Sequence, residues 1–161
     1  MAIILNGNNT PTAGSVAVGD GTTLAFTSVG TSGQLLQSNG SSAPSFSGTI
    51  TNPTVTNYTE TPFTANSSTA ITIALTNGTV QIITLTGNAT ITMPTATSGK
   101  SFIMFLKQDA TGSRTVTWST VKWPGGTNPT ITATASRQDI YSFFADGTNW
   151  YGVNVGQNYT P

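Results

Sequence analysis

The most restrictive feature of the sequence is its shortage of helix-forming residues. Threonine supplies about a fifth of the 161 residues, whereas Glu60 is the only glutamate and there are three lysines. Threonine is β-branched, which restricts its χ1 angle and favours strands over helices. Charged residues make up 6% of the chain, against roughly 25% in an ordinary soluble domain. The composition therefore predicts an all-β protein.

Charge is unevenly distributed along the chain as well as scarce. The formal net charge is zero, and before Lys100 the only charged residues are Asp20 and Glu60. A neutral protein has no long-range field to attract polyanions, so we expect no nucleic-acid partner. A surface with so little charge also promotes association. We therefore expect much of this surface to lie against neighbouring subunits.

Membrane and redox signals are also missing from the sequence. The longest apolar runs, IITL (82–85) and FIMFL (102–106), are too short to span a bilayer, so we expect no membrane partner. The start, MAIILNGNN, lacks the basic segment and the long apolar stretch of a secretory signal. The chain has no cysteine, which excludes disulfides and thiolate chemistry.

Two regions of the chain differ in amino-acid composition. Residues 1–66 are rich in Gly, Ser, Thr, Asn and Pro, with only short apolar islands. Such a stretch buries too little apolar surface to fold alone. We predict an extended N-terminal arm with short strands, for which partner chains supply a surface. Residues 67–161 carry regular strand signals and are predicted to form a knob domain.

The knob is predicted to be a β-sandwich or jelly roll of about eight short antiparallel strands. Apolar residues alternate with polar ones within the strand-like runs, which gives each run one inward face. No convincing internal repeat is present, which disfavours a solenoid. The strand-like runs are AITIAL (70–75), TVQIITL (79–85), ATITMP (89–94), SFIMFLKQ (101–108), RTVTW (114–118), TITAT (130–134), DIYSFFA (139–145) and TNWYGVNV (148–155).

Turn dipeptides predict how these strands connect. Asn77-Gly78, between the first two runs, is typical of a tight hairpin. Asp146-Gly147 lies between the last two runs and predicts a second hairpin with a two-residue loop. That loop would place Phe143 opposite Trp150, as a cross-strand aromatic pair.

The residue types exclude most catalytic chemistry. The chain has no histidine and no cysteine, which removes Ser-His-Asp and Cys-His triads and zinc sites built from these ligands. No phosphate-binding glycine motif and no EF-hand spacing is present. A carboxylate pair remains conceivable, but these residues mostly lie beside predicted turns, where aspartate bonds its own backbone. We expect neither an enzyme nor a cofactor or metal. The five carboxylates are Asp20, Glu60, Asp109, Asp139 and Asp146.

The segment KQDATGSRTVTWSTVKWPGG (107–126) combines basic residues with two tryptophans. Its three basic residues are too few for a nucleic-acid footprint. Trp118 and Trp123 would face opposite sides of a continuous strand, unless Ser119-Thr120 forms a turn or a bulge. We favour core or interface packing over the alternative of a sugar-binding platform. The candidate interface or packing residues of the chain are Trp118, Trp123, Phe143 and Trp150.

Residues 79–153 resemble a β-rich module of tailed-bacteriophage virion proteins. The most specific pieces are LTGNATITMP (85–94), KQDATGSRTVTW (107–118), VKWPGGTNPT (121–130) and DGTNWYGV (146–153). Upstream, GQLLQSNGSSAPSF (33–46) is similar to a junction that is common in phage fibre and appendage proteins, with Phe46 where tryptophan is usual.

The resemblance implies a non-enzymatic virion structural protein, usually a homotrimer, assembled in the host cytoplasm and exposed on the particle. The chain is short, begins at a methionine and has no coiled-coil heptads, so we expect a head decoration (cement) protein that binds the major capsid protein. The alternative is a tail fibre or appendage protein that binds a host receptor, such as a glycan. A carbohydrate-binding module outside a virion and an enzyme are further alternatives.

Overall fold

The structure, a computed structural model, describes residues 12–19 and 24–161, and these residues are almost entirely strands, turns and loops. The all-β prediction is confirmed. The chain divides into two compact units, Met1–Asn57 and Tyr58–Pro161. The predicted boundary at residue 66 differs from this division, because the strand Pro62–Asn66 pairs within the second unit.

The first unit consists of two small antiparallel sheets. No side chain among its described residues, 12–19 and 24–57, is buried. Gly30 lies against Phe46, since a Cβ atom at Gly30 would come within 2.6 Å of the Phe46 ring. The described part of this unit is thus built from local strand pairing without a core. Its strands are β1 (Ala17–Gly19), which pairs with β2 (Leu24–Phe26), and β3 (Leu35–Asn39), which pairs with β4 (Ser42–Ser47).

The second unit contains nine strands, all within the described residues 58–161. Short 3₁₀ turns at Leu75–Asn77 and Pro124–Gly126 interrupt them. The strands are β5 (Pro62–Asn66), β6 (Ala70–Thr72), β7 (Val80–Leu85), β8 (Ala89–Thr92), β9 (Ser101–Gln108), β10 (Val116–Trp118), β11 (Val121–Lys122), β12 (Gln138–Ala145) and β13 (Trp150–Tyr159).

These strands form two sheets, and the chain moves back and forth between them. One sheet has six strands in the order β11-β13-β12-β9-β7-β5, and the other has three in the order β10-β8-β6. From β5 to β11, consecutive strands alternate between the two sheets. From β5 to β10, neighbours within a sheet are therefore two strands apart in sequence, and β5, β7 and β9 run parallel, as do β6, β8 and β10. Between β5 and β10 the chain therefore winds in parallel turns through both sheets.

The parallel pairs correct the prediction that the strands of the knob run antiparallel, and the mixed sheets do not confirm a sandwich or jelly roll. In the second unit only β9–β12 and β12–β13 pair antiparallel, and β11 adds to β13 in parallel. The offset between adjacent windings is 18 residues from Pro62 to Val80, 23 from Val80 to Ile103 and 27 from Ala89 to Val116. Because the offset is irregular, the winding leaves no sequence repeat.

The turn at Asn77-Gly78 does not close a hairpin, contrary to the sequence prediction. It carries the chain from β6 in the small sheet to β7 in the large sheet, and these two strands do not pair. Gly78 has a φ of 139°, and a Cβ atom there would lie 2.2 Å from the carbonyl oxygen of Thr61. Glycine is required here because the chain passes close to the start of β5.

A hydrophobic core joins the two sheets. Alternate residues of β7, β9 and β12 point inward, as the sequence pattern predicts. Trp118 of the small sheet contacts Phe143 of the large sheet, with ring centroids 5.7 Å apart. The buried apolar residues are Ile73, Ile83, Leu85, Ala89, Ile91, Met93, Phe102, Met104, Leu106, Trp118, Trp123, Tyr141, Phe143, Ala145 and Trp150.

Candidate functional site

Trp118 and Trp123, the two tryptophans of segment 107–126, belong to this core. A turn with Thr120 at a φ of 57° separates β10 from β11. The turn brings Trp118 and Trp123 edge to face, with ring centroids 5.1 Å apart. Gly152 makes room for this pair, since a Cβ atom there would lie 2.6 Å from the Trp123 ring. The turn considered in the sequence analysis therefore places both rings on the same side.

The last hairpin forms, but its predicted register is wrong. Phe143 lies opposite Gly152, and Trp150 lies opposite Ala145. The loop has four residues because the Asp146 carboxylate accepts hydrogen bonds from the backbone N–H groups of Thr148 and Asn149, at 2.7 Å each. These bonds stabilise a wider turn than an Asp-Gly pair alone requires.

All four candidate packing residues are buried. Trp118 and Trp123 are each 7% exposed, Trp150 is 2% exposed and Phe143 is fully buried. Phe143 and Trp150 both contact Phe102, with ring centroids 4.6 and 5.3 Å away. A sugar-binding platform needs an accessible ring face, which none of these side chains offers in the second unit.

The Asp109 carboxylate holds together a loop of the basic segment. It forms an ion pair with Arg114 at 2.8 Å and accepts hydrogen bonds from the backbone N–H groups of Thr111 and Gly112. The hydrogen bond from Arg114 is the main cause that lowers the pKa of Asp109. These bonds fix the loop between β9 and β10.

Asp139 is a buried carboxylate, 2% exposed, that links three segments. It accepts hydrogen bonds from the backbone N–H groups of Thr132 and Asn158, at 2.8 and 3.0 Å. The Tyr141 hydroxyl also donates to it at 3.2 Å, and burial together with the negative charge of Asp139 raises the pKa of Tyr141. The arrangement anchors the loop before β12 and the end of β13.

The remaining described carboxylates are also occupied by neighbouring groups. Glu60 accepts hydrogen bonds from Tyr58 and Thr79. Asp146 accepts the two loop N–H groups and the Tyr151 hydroxyl at 2.9 Å, and these bonds lower the pKa of Asp146 to about 2. Asp20 lies outside the described residues.

A cluster of metal ligands and a membrane-spanning helix are both absent from residues 12–19 and 24–161. No three carboxylates, histidines or cysteines in this part of the chain come together as metal ligands would. No helix in it is long and apolar enough to cross a membrane.

The outer face of the six-stranded sheet carries an exposed apolar surface. On β12 and β13 it consists of Phe144 (51% exposed), Tyr151, Val153 and Val155, and on β9 of Ile103. We call these five residues the outer patch. They lie on three strands that pair side by side, with Phe144 opposite Tyr151 and with Ser142 between Ile103 and Val153.

The outer patch was not among the features predicted from the sequence. On β13, Tyr151, Val153 and Val155 alternate with the inward-facing Trp150 and Gly152, so the strand is apolar on both faces. Such a strand is typical of a sheet that is covered on both sides. The apolar residues at alternate positions are visible in YGVNV (151–155). The neighbouring aromatic residues, however, favoured a prediction of core packing.

A second surface feature is a cleft of about 420 Å³ formed by three loop regions at one end of the second unit. The regions follow β8, connect β10 to β11 and connect β12 to β13. We call it the loop cleft. Its lining residues are Met93, Pro94, Thr95, Ala96, Thr120, Lys122, Thr148, Asn149 and Trp150.

The fold and these two surfaces define an all-β module with an apolar sheet face and a polar cleft between loops. Residues 43–150 match the family described as "Putative phage tail fibre C-terminal domain". The match spans more than half of the chain, so the chain belongs to this family. It is a structural protein of the tailed-bacteriophage virion, as its resemblance to phage modules predicts. No curated protein and no solved structure matches the chain.

Proposed function

We propose that this chain is part of a tail fibre, exposed on the particle, that contributes to binding of the host receptor. The observation that carries the proposal is the match of residues 43–150 to a tail fibre domain family. The same match favours the tail fibre over the head decoration protein that chain length led us to expect. Length is a weak guide, because a compact all-β domain serves either location equally well.

The outer patch supports assembly with further copies of the same chain. Soluble monomers rarely expose large apolar patches, and such patches mark interaction sites. The five residues of the patch carry no charge, and the chain is neutral overall. Copies related by symmetry would therefore bring no like charges together. We propose a homotrimer, the state that the phage resemblance implies, with the outer patch facing its partners.

A structural role also fits the carboxylates. Glu60, Asp109, Asp139 and Asp146 each accept hydrogen bonds from nearby backbone or side-chain groups. Each thereby fixes a loop or a strand end, and none stands unpartnered, as a general base in an open site would. We propose that the chain binds and assembles without catalysing a reaction.

Location and assembly are tested separately. Gold-labelled antibody against the protein, imaged on intact virions, should mark the tail, and label spread over the head would overturn the tail fibre proposal. For assembly, Val153→Asp should convert the trimer to a monomer in light scattering after gel filtration, because it places charge in the outer patch.

The matched control for this substitution is Val55→Asp in the first unit. Val55 is 57% exposed and Val153 is 43% exposed, so both positions accept the change without disturbing a core. The control should remain trimeric. A Val153→Asp protein that stays trimeric would exclude the outer patch as the contact between copies.

A further inference from the structure

The loop cleft has the size and the position of a ligand site. Its volume of about 420 Å³ lies within the roughly 300–1,000 Å³ typical of small-molecule sites. Three separate chain segments contribute its lining, and loops held on a rigid scaffold are where proteins commonly place binding residues.

Hydrogen bonds hold the walls of the cleft in place. The Trp150 indole N–H donates to the carbonyl oxygen of Pro94 at 2.7 Å, and the Met93 backbone N–H donates to the Ser119 hydroxyl at 3.2 Å. Asp146 fixes the backbone of the third wall through its bonds to Thr148 and Asn149. A site that is already formed loses little entropy when a ligand binds.

The lining groups match the polar groups of a sugar. Hydroxyls are present at Thr95, Thr120 and Thr148, and Asn149 supplies an amide that also interacts with the side chains of Asp146 and Tyr151. Met93 and Pro94 add apolar surface for the C–H faces of a ring. The cleft therefore offers both hydrogen-bonding groups for the hydroxyls of a sugar and some apolar surface for its C–H faces.

The charge of the cleft selects among sugars. Lys122 is the only charged residue in the lining. The single ion pair in the described residues joins Asp109 to Arg114, so Lys122 has no carboxylate partner there. The nearby Asp146 is held by its own loop and by Tyr151. An unpaired ammonium group at the wall of a polar cleft favours an anion.

We propose that the loop cleft binds an anionic sugar, with Lys122 contacting its carboxylate or phosphate and Asn149 its ring hydroxyls. The proposal rests on the proposed receptor-binding function and gives it a ligand class and a site. Carboxylated and phosphorylated sugars share the negative charge that Lys122 recognises, and binding experiments can separate them.

The test is binding of the full-length protein to an array of neutral, carboxylated and phosphorylated glycans. We expect binding to at least one anionic class and weaker binding at higher salt. Lys122→Gln and Asn149→Ala should each weaken that binding at least 10-fold. Lys107→Gln on β9 removes the same charge away from the cleft and should bind as the original protein does. Unchanged thermal unfolding will show that the variants are folded.

The outcomes separate this inference from the proposed function. Binding only to neutral glycans, no binding to the array, or equal binding by the Lys122→Gln variant would overturn the anionic-sugar site. The proposed function is tested independently by the gold label and by whether the purified protein blocks adsorption of the phage. If Lys122→Gln protein blocks adsorption as well as the original, the receptor-binding function stands and the loop cleft is not the site.

Discussion

The two units of the chain use similar residue types, yet among the residues that the structure describes only the second unit has a core. Both are rich in threonine, serine and glycine with few charges. In the described residues of the first unit, even Leu35 and Ile50 are more than half exposed, at 57% and 58%. The second unit buries fifteen apolar residues. Composition alone therefore does not decide whether a threonine-rich chain builds an interior.

Strand length and alternation account for the difference. In the second unit, β9 and β12 have eight residues each and place an apolar residue inward at nearly every second position. In the first unit, β1 and β2 have three residues each, and the longer β3 and β4 also contain no buried side chain. A long alternating strand covers a continuous apolar surface, whereas a short strand leaves isolated side chains that two sheets cannot enclose.

Removing one phenylalanine from each unit gives the strongest test of whether only the second unit is stabilised by a core. Phe143→Ala should lower the free energy of unfolding of the second unit by about 3–5 kcal/mol, since Phe143 is fully buried and loses both packing and transfer free energy. Phe46→Ala in the first unit, where Phe46 packs on Gly30, should leave that transition unchanged. All three tryptophans lie in the second unit, so urea unfolding followed by tryptophan fluorescence reports on that unit alone.

If Phe46→Ala lowers the free energy of unfolding measured by tryptophan fluorescence by more than about 1 kcal/mol, the two units are not stabilised separately. Substitutions at exposed or half-exposed positions usually have a smaller effect. A loss below the same value from Phe143→Ala would show that the core is not closely packed around that ring.

Glycines provide a smaller test of the same comparison. Gly112 has a φ of 72°, and a Cβ atom there would lie 2.7 Å from backbone atoms of Ala133 and Ala135. Gly112→Ala should therefore destabilise the second unit by about 1–3 kcal/mol, since backbone cannot move aside as a side chain can. Gly33 in the first unit has a φ of 86° with open space around it. Gly33→Ala should leave the fluorescence transition of the second unit unchanged. Equal effects of the two substitutions would show that the loop moves and relieves the crowding at Gly112.

Much of the second unit follows from its sequence, but its topology does not. The runs 101–108, 139–145 and 79–85 become β9, β12 and β7 with nearly the predicted limits, because period-two alternation is local information. Which strands become neighbours depends on where each turn sends the chain. Asn77-Gly78 has the residues of a hairpin turn, and only the passage of Gly78 against Thr61 distinguishes it from one.

Some features of the candidate site can likewise be predicted from the sequence, and others cannot. The sequence identified Trp118, Trp123, Phe143 and Trp150 as packing residues, and all four lie in the core. The loop cleft could not be predicted, because its walls come from segments more than 50 residues apart, joined by the bond from Trp150 to Pro94. The sequence shows that Lys122 is charged. Only the fold shows that it forms no ion pair with a carboxylate of the described residues.

The smallest expected effect comes from removing the first unit altogether. A chain that starts at Tyr58 retains every residue of the hydrophobic core. Its urea transition by tryptophan fluorescence should match that of the full chain, and its thermal midpoint should shift by less than about 4 °C, which corresponds to less than about 1 kcal/mol for a unit of this size. A larger decrease would mean that the second unit depends on the first, and the presence of a core would then be insufficient to explain why one unit folds. A midpoint that is retained would assign the stability of this protein to the core that its long alternating strands enclose.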